Sequence, residues 1–378
     1  MAAISLSYRS TLTTNDLCSI QILRALAAWG VVFHHYVQGF HDFSSDIAIW
    51  KFFTIADKFG VDVFFVISGF IMAWTLAHRR YEPDDFLYRR LLRIVPAYWV
   101  MTLVFIATLS LTPSKLTSFF DWDISTLALS LIFVPHENAS TSLTTFPVLT
   151  VGWTLNYEIF FYIWLSTLLW ISPRHWLLTC TTSLLLLPYI WPNWLRYEVA
   201  GSALLHEFAF GLIIGTFYAN LKKRGDWPTV LPGIALLISG LFLYSSVYNG
   251  EPLLDFRQTP VFWRIGDPTK HISAALLVAS ALAFEPFLHQ IPLRNALVSL
   301  GNMSYSTYLA HPIALCISYH SLGQPNSQAG DLLAVGLYTG LTFIFSILSY
   351  RLLETGPGTT YLKKILIRKK NPAMQVNV

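Results

Sequence analysis

The sequence predicts an all-α integral membrane protein of about ten transmembrane helices, with both termini on the cytoplasmic side. Three observations carry this. Hydrophobic residues make up 54% of the 378-residue chain and charged residues only 12%, where soluble domains average about 25% charged. Apolar stretches of roughly 17 residues or more, the length that crosses a bilayer, recur along the whole chain. The 13 Trp and 18 Tyr suit the aromatic belts at the two membrane surfaces.

Taken in order, the expected spans are 18–38, 59–77, 96–112, 151–171, 175–191, 200–220, 229–248, 271–289, 297–319 and 330–352. An eleventh stretch, 124–135, falls in the range of about 10–14 residues that often fails to cross. Basic residues decide its status, because cytoplasmic loops collect Lys and Arg. If 124–135 does not cross, four basic clusters share one side with the N-terminus: Arg79/Arg80/Arg89/Arg90/Arg93, Lys222/Lys223/Arg224, Arg294, and Lys363/Lys364/Arg368/Lys369/Lys370. If it crosses, the clusters from Lys222 onward change sides and the asymmetry collapses. The chain therefore divides into a cytoplasmic segment 1–17 with no removable signal peptide, a membrane domain 18–353, and a basic cytoplasmic tail 354–378. The longest outer linkers are 39–58, 113–150 and 249–270. Cys18, Cys180 and Cys316 are too widely spaced to suggest a disulfide framework or a thiolate metal site, so no metal is expected.

Polar residues inside these spans point to chemistry. An Arg at a helix centre costs about 2.5–3.5 kcal/mol on the insertion scale, so intramembrane charge faces a bundle interior or a watery cavity. In RALAAWGVVFHH, residues 24–35, Arg24 and His35 are eleven residues apart. At 3.6 residues per turn they share a helical face to within about 20° and lie roughly 16 Å apart along the axis, whereas His34 is about 80° away. Snorkelling of Arg24 to headgroups and a purely structural His35 are the plain alternative.

The second span, GVDVFFVISGFIM, carries Asp62 near its outer end, as an interfacial residue or as a partner that orients His35. It also carries Ser68 and Gly69, better explained by close helix approach than by a nucleophilic serine, since no Gly-x-Ser-x-Gly elbow is present. Arg89, Arg90 and Arg93 gather at a cytoplasmic helix entry before Pro96, and serve either contact with anionic lipid or a phosphate clamp. Glu158 lies within VGWTLNYEIFFYIW, where a carboxylate needs a partner. His206 and Glu207 open a further helix, and GNMSYSTYLAHPI places Ser304, Tyr305, Tyr308 and His311 in one span. A passive bundle has no need of so many polar groups.

Together RALAAWGVVFHH, FGVDVFFVISGFIM, FLYRRLLRIVPAYW, VGWTLNYEIFFY and LGNMSYSTYLAHP resemble, in order, the motifs of the acyltransferase 3 family of bacterial membrane O-acyltransferases. That family includes acetyltransferases of O-antigen, exopolysaccharide and nodulation factors. Its Arg-x10-His motif falls on Arg24 and His35. The resemblance covers the chain from residue 18 to about 353 and implies the stand-alone form, without a fused hydrolase-like domain.

It implies transfer of an acyl group, most commonly acetyl, from cytoplasmic acyl-coenzyme A to a sugar hydroxyl, in a multi-pass protein of the bacterial inner membrane. His35 would be the essential residue, as general base or transient acyl carrier, with Arg24 and Glu158 beside it in the catalytic set. Arg89, Arg90 and Arg93 would lie on the donor's route, and Asp62, Ser68, Trp153, Tyr305 and His311 would support donor or acceptor. Acetyl-coenzyme A would be a substrate, with no tightly bound cofactor. The partners would be membrane lipid, the acyl-coenzyme A donor, a glycan or lipid-linked sugar acceptor, and polysaccharide assembly machinery, with no nucleic acid. Trp122, Trp153 and Trp194 are candidates for stacking on a sugar. A transporter using intramembrane His and Glu as a proton relay is the competing reading, although no internal repeat supports it. A non-catalytic partner of polysaccharide machinery is the third.

Overall fold

The computed structural model describes residues 17–56, 59–79, 81–117, 120, 122–136, 146–191, 199–224, 231–248 and 268–356. Among them every regular element is a helix. The basic tail from 357, Trp194 and most of the 249–270 linker lie outside the described residues.

The first helix, α1 (Cys18–His41), rises about 36 Å and is the hub of the bundle. Its N-cap, Leu17, supplies no side-chain oxygen. A distant carboxylate does so instead: Cys18 N and Ser19 N each donate to Glu285 at 2.8 Å, placing negative charge at the positive end of the helix. The C-terminal end is held by Asp331, which accepts bonds from the Tyr36 hydroxyl, His41 Nε2 and Trp50 Nε1, the last two at 2.8 Å. Trp50 belongs to α2 (Ala48–Ala56), a short helix in the 39–58 linker that the apolar pattern did not announce.

The helix α3 (Phe59–His78) follows the expected second span. The expected third span is longer than its apolar part: α4 runs from Pro83 to Leu111, so Pro96 lies inside it and not in its first turn. Its start obeys helix rules that hydropathy does not see, with Pro83 in the first turn and Asp84 and Asp85 complementing the dipole. Arg89, Arg90 and Arg93 therefore sit two to three turns into the helix, not at its entry. The 124–135 stretch gives α5 (Ile124–Leu131), eight residues and about 12 Å, too short to cross.

After a 3-10 turn at Thr150–Gly152 come α6 (Trp153–Ile171), α7 (Trp176–Ile190), α8 (Leu205–Arg224) and α9 (Leu231–Tyr248). The expected 271–289 span is α10 (Pro268–Ala283) followed by the short α11 (Glu285–Leu288). The expected 297–319 span is broken at Met303 into α12 (Arg294–Asn302) and α13 (Ser304–Leu322). The last helix, α14 (Gln328–Ser349), ends in a π-helical turn at Tyr350–Glu354. Among the described residues, three helices qualify by length and apolarity to cross a membrane: Phe59–His78, Pro83–Leu111, and Gln328–Glu354 taken through its π turn.

Glycines set the closest packing. A Cβ at Gly69 of α3 would lie 2.1 Å from the Phe208 carbonyl oxygen, and one at Gly211 of α8 would lie 2.1 Å from that of Val66. The two backbones touch there, which is the close approach that small residues permit. Ser68, one residue before Gly69, is thereby turned away from α8.

Candidate functional site

Five helices, α1, α3, α4, α6 and α13, enclose a cavity of about 90 Å³, enough for several waters. Arg24 from α1, Ser68 from α3, Arg90 and Arg93 from α4, Glu158 and Tyr162 from α6, and Tyr305 and Tyr308 from α13 all line it. Arg24 is only 7% exposed; its Nη1 donates to Gln21 Oε1 at 3.2 Å, and the guanidinium interacts electrostatically with Arg93, Glu354 and Glu158. Arg90 and Arg93 are three residues apart and so are neighbours on one helix face. Arg89 is turned 100° from Arg90: its Nε donates to Asp85 at 2.8 Å and its guanidinium lies over the Tyr81 ring. Of the three arginines expected together, the structure brings two to the cavity.

Glu158 finds the partners its position requires. Its Oε1 accepts from Ser68 Oγ at 3.2 Å and from the Tyr162 hydroxyl. Tyr162 is one turn beyond Glu158 on the same face, a spacing that marked it in the sequence, although it was not singled out. Glu354, the first residue of the expected tail, also belongs to the site. The π turn carries it to Ser306, whose hydroxyl donates to Glu354 Oε1, and its charge is felt by Arg24 and Arg93. Three guanidiniums thus share two carboxylates, which leaves this end of the cavity suited to an anion. Tyr305, expected to support donor or acceptor, lines the cavity with its hydroxyl donating to the Ile94 carbonyl at 2.8 Å.

Tyr308 forms the far wall, its hydroxyl 3.0 Å from Thr154 Oγ1 and donating to the Val151 carbonyl at 2.9 Å. Its ring centre is 5.8 Å from that of His311, which is 4.9 Å from that of His35. A polar column therefore continues past the cavity to the histidine singled out in the sequence. His35 is half-buried, with Nδ1 2.9 Å from the Val31 carbonyl oxygen. A carbonyl has no proton to give, so in the neutral ring Nδ1 carries the hydrogen and Nε2 the lone pair. His34 departs, as the helical angle predicts: its Nδ1 meets the Phe53 carbonyl at 3.0 Å and its ring faces Phe43.

Other expected residues lie elsewhere. Asp62 is buried close to Glu207, whose Oε1 is bonded to His271 Nδ1, in a buried cluster between α3, α8 and α10. Trp153 packs edge-on against Tyr157. Trp122 is 38% exposed in the segment before α5. Among the described residues no group of three or more His, Cys, Asp and Glu is placed to hold a metal ion.

Residues 19–351 match the family model for an acyltransferase domain, the acyltransferase 3 family. The chain is an acyltransferase of this family. It is 33% identical over 309 residues to the exopolysaccharide production protein ExoZ of Rhizobium meliloti, covering 79% of this chain and 85% of that one. A Staphylococcus aureus protein bearing an O-acetyltransferase name is 26% identical over 366 residues, 88% of this chain but 56% of that longer one. The acyltransferase MdmB of Streptomyces mycarofaciens is 25% identical over 332 residues, 81% of each chain. No solved structure matches this acyltransferase significantly.

Proposed function

We propose that this acyltransferase is a ten-span protein of the bacterial plasma membrane, with cytoplasmic termini. It transfers an acetyl group from cytoplasmic acetyl-coenzyme A to a sugar hydroxyl of a surface polysaccharide or its lipid-linked precursor. The observation that carries the reading is the column from Arg24, Arg90 and Arg93, through Tyr308 and His311, to His35. Coenzyme A brings phosphates that cannot enter lipid unaided, and Arg forks match phosphate oxygens. Its pantetheine arm is long and narrow, suited to threading past Tyr308 with the thioester leading.

His35 then presents the Nε2 lone pair to the reaction. A sugar hydroxyl is a weak nucleophile, and an imidazole promotes its acylation either as the base that takes its proton or as the transient carrier of the acyl group. The helical enclosure limits the water that would hydrolyse an activated acyl group. The name of the Rhizobium meliloti relative, which refers to exopolysaccharide production, supports a polysaccharide as the acceptor.

Arg93→Gln removes one of three guanidiniums at the anion end of the cavity. A charge-assisted hydrogen bond is worth about 1.5–3 kcal/mol, so KM for acetyl-coenzyme A rises by roughly 10–100-fold, with a smaller change in kcat. Steady-state kinetics against acetyl-coenzyme A in membranes checks this. The overall reading is tested by mass spectrometry of the surface polysaccharide from the source bacterium with and without the gene. Acetyl groups present per repeat unit in the first and missing in the second support it, while identical polysaccharides contradict it.

A further inference from the structure

His311 is fully buried, and its Nε2 has no hydrogen-bond partner. Buried imidazole nitrogens are rarely left so, and each such case calls for an explanation. Its Nδ1 is directed at the Thr307 carbonyl, 3.4 Å away and four residues back on its own helix. His35 is anchored in the same manner, by Nδ1 to Val31, also four residues back. Two imidazoles on different helices, α1 and α13, thus have their Nδ1 hydrogens directed at backbone carbonyls. Their rings stand 4.9 Å apart at 54°. Each neutral ring therefore has its lone pair on Nε2, and one general base would need only one such ring.

We propose that the two histidines divide the transfer: His35 carries the acyl group and His311 is the base that activates the acceptor. The proposal rests on the reading of the chain as an acetyl-coenzyme A-dependent O-acetyltransferase. In the first half, His35 Nε2 attacks the thioester carbonyl carbon; the C–N bond forms, the C–S bond breaks, and coenzyme A leaves as the thiolate. The acyl-imidazolium keeps its Nδ1 hydrogen on the Val31 carbonyl, so the charges balance. In the second half, the sugar oxygen attacks the acyl carbon while its proton passes to His311 Nε2. The C–O bond forms, the C–N bond breaks, and the electron pair returns to His35. The proton on His311 is then released as the product leaves, matching the one that the coenzyme A thiolate takes up. The otherwise unused lone pair thereby acquires its donor, the acceptor hydroxyl.

The two halves separate experimentally. Purified protein in nanodiscs is given acetyl-coenzyme A and isotopically labelled coenzyme A without any acceptor, and exchange of label into acetyl-coenzyme A is followed. Transfer is read in cells as acetyl released from the surface polysaccharide by base. His311→Asn keeps an amide nitrogen near the Nδ1 position and removes Nε2. Wild type and His311→Asn should exchange label at rates within about threefold, whereas His311→Asn should lower polysaccharide acetylation by ~10²–10³-fold, the range for loss of a general base. His35→Gln should lose both activities. Retained exchange also reports that the variant is folded, and His311→Gln replaces it if the Asn variant does not accumulate.

A wild type that acetylates polysaccharide but does not exchange label overturns the carrier role of His35. Equal loss of exchange and transfer in a folded His311 variant overturns the base role. A wild type that neither exchanges label nor acetylates polysaccharide would instead overturn the parent reading of the protein as an acetyltransferase.

Discussion

Replacing His35 with glutamine lowers acyl transfer by at least about 10²-fold while leaving the amount of membrane-inserted protein unchanged. The two halves of this expectation come from different features. The chemical half comes from Nε2, the atom that holds the lone pair once Nδ1 is directed at the Val31 carbonyl. Glutamine offers an amide of similar reach that is neither nucleophilic nor basic. The structural half comes from the surroundings of His35. The ring is half-buried, its Nδ1 bond is to its own helix, and its neighbour His311 is held separately by α13. By contrast, Asp331 accepts three side-chain bonds from two helices, and its loss would loosen the whole C-terminal end of α1. Polysaccharide O-acetylation, normalised to immunoblotted membrane protein, separates the two halves. Full acetylation with His35→Gln would exclude the residue from the reaction.

Gly211→Leu prevents the bundle from forming. A Cβ at this position would lie 2.1 Å from the Val66 carbonyl oxygen, 2.7 Å from Phe70 N and 2.8 Å from Gly69 Cα. All three are backbone atoms of α3, so no side chain can move aside to relieve the contact. The helices would have to separate, giving up packing that in a bilayer is the chief attraction between them. A loss of about 4 kcal/mol or more, at the upper end for a point substitution, leaves little folded protein. Fluorescence-detected size exclusion of the solubilised protein should show the monodisperse peak disappear. Gly336→Leu on α14 is the control, because a Cβ there meets nothing within 4 Å and should change little. The consequence reaches the site as well, since the α3–α8 register sets where Ser68 meets Glu158.

Much of this was legible in the sequence where the signal is local. The separation of His34 from His35 follows from helical angle alone, and α1 and α3 follow apolar runs. The motifs from Arg24 to His311 pointed to the family before any packing was known. What escaped depends on long-range or subtler physics. Hydropathy registered only the apolar end of α4, because its first turns are polar though strongly helix-forming. The inward turn of Arg90 and Arg93, and the outward turn of Arg89 to Asp85, depend on which face α4 offers to α1 and α6. The break at Met303 and the π turn that delivers Glu354 interrupt apolar stretches without changing their composition. Asp62 meets Glu207 and His271 across helices far apart in the chain, a pairing that no spacing in a single sequence encodes.

The central claim is that one path runs from the arginine-lined cavity to His35 and carries the acyl donor. A cryo-EM map of the protein in nanodiscs with coenzyme A bound tests this most directly. The account predicts density for coenzyme A phosphates against Arg24, Arg90 and Arg93, with the pantetheine arm passing Tyr308 and the thiol ending beside His35. Coenzyme A bound away from these arginines, or with its thiol directed away from His35, would contradict it.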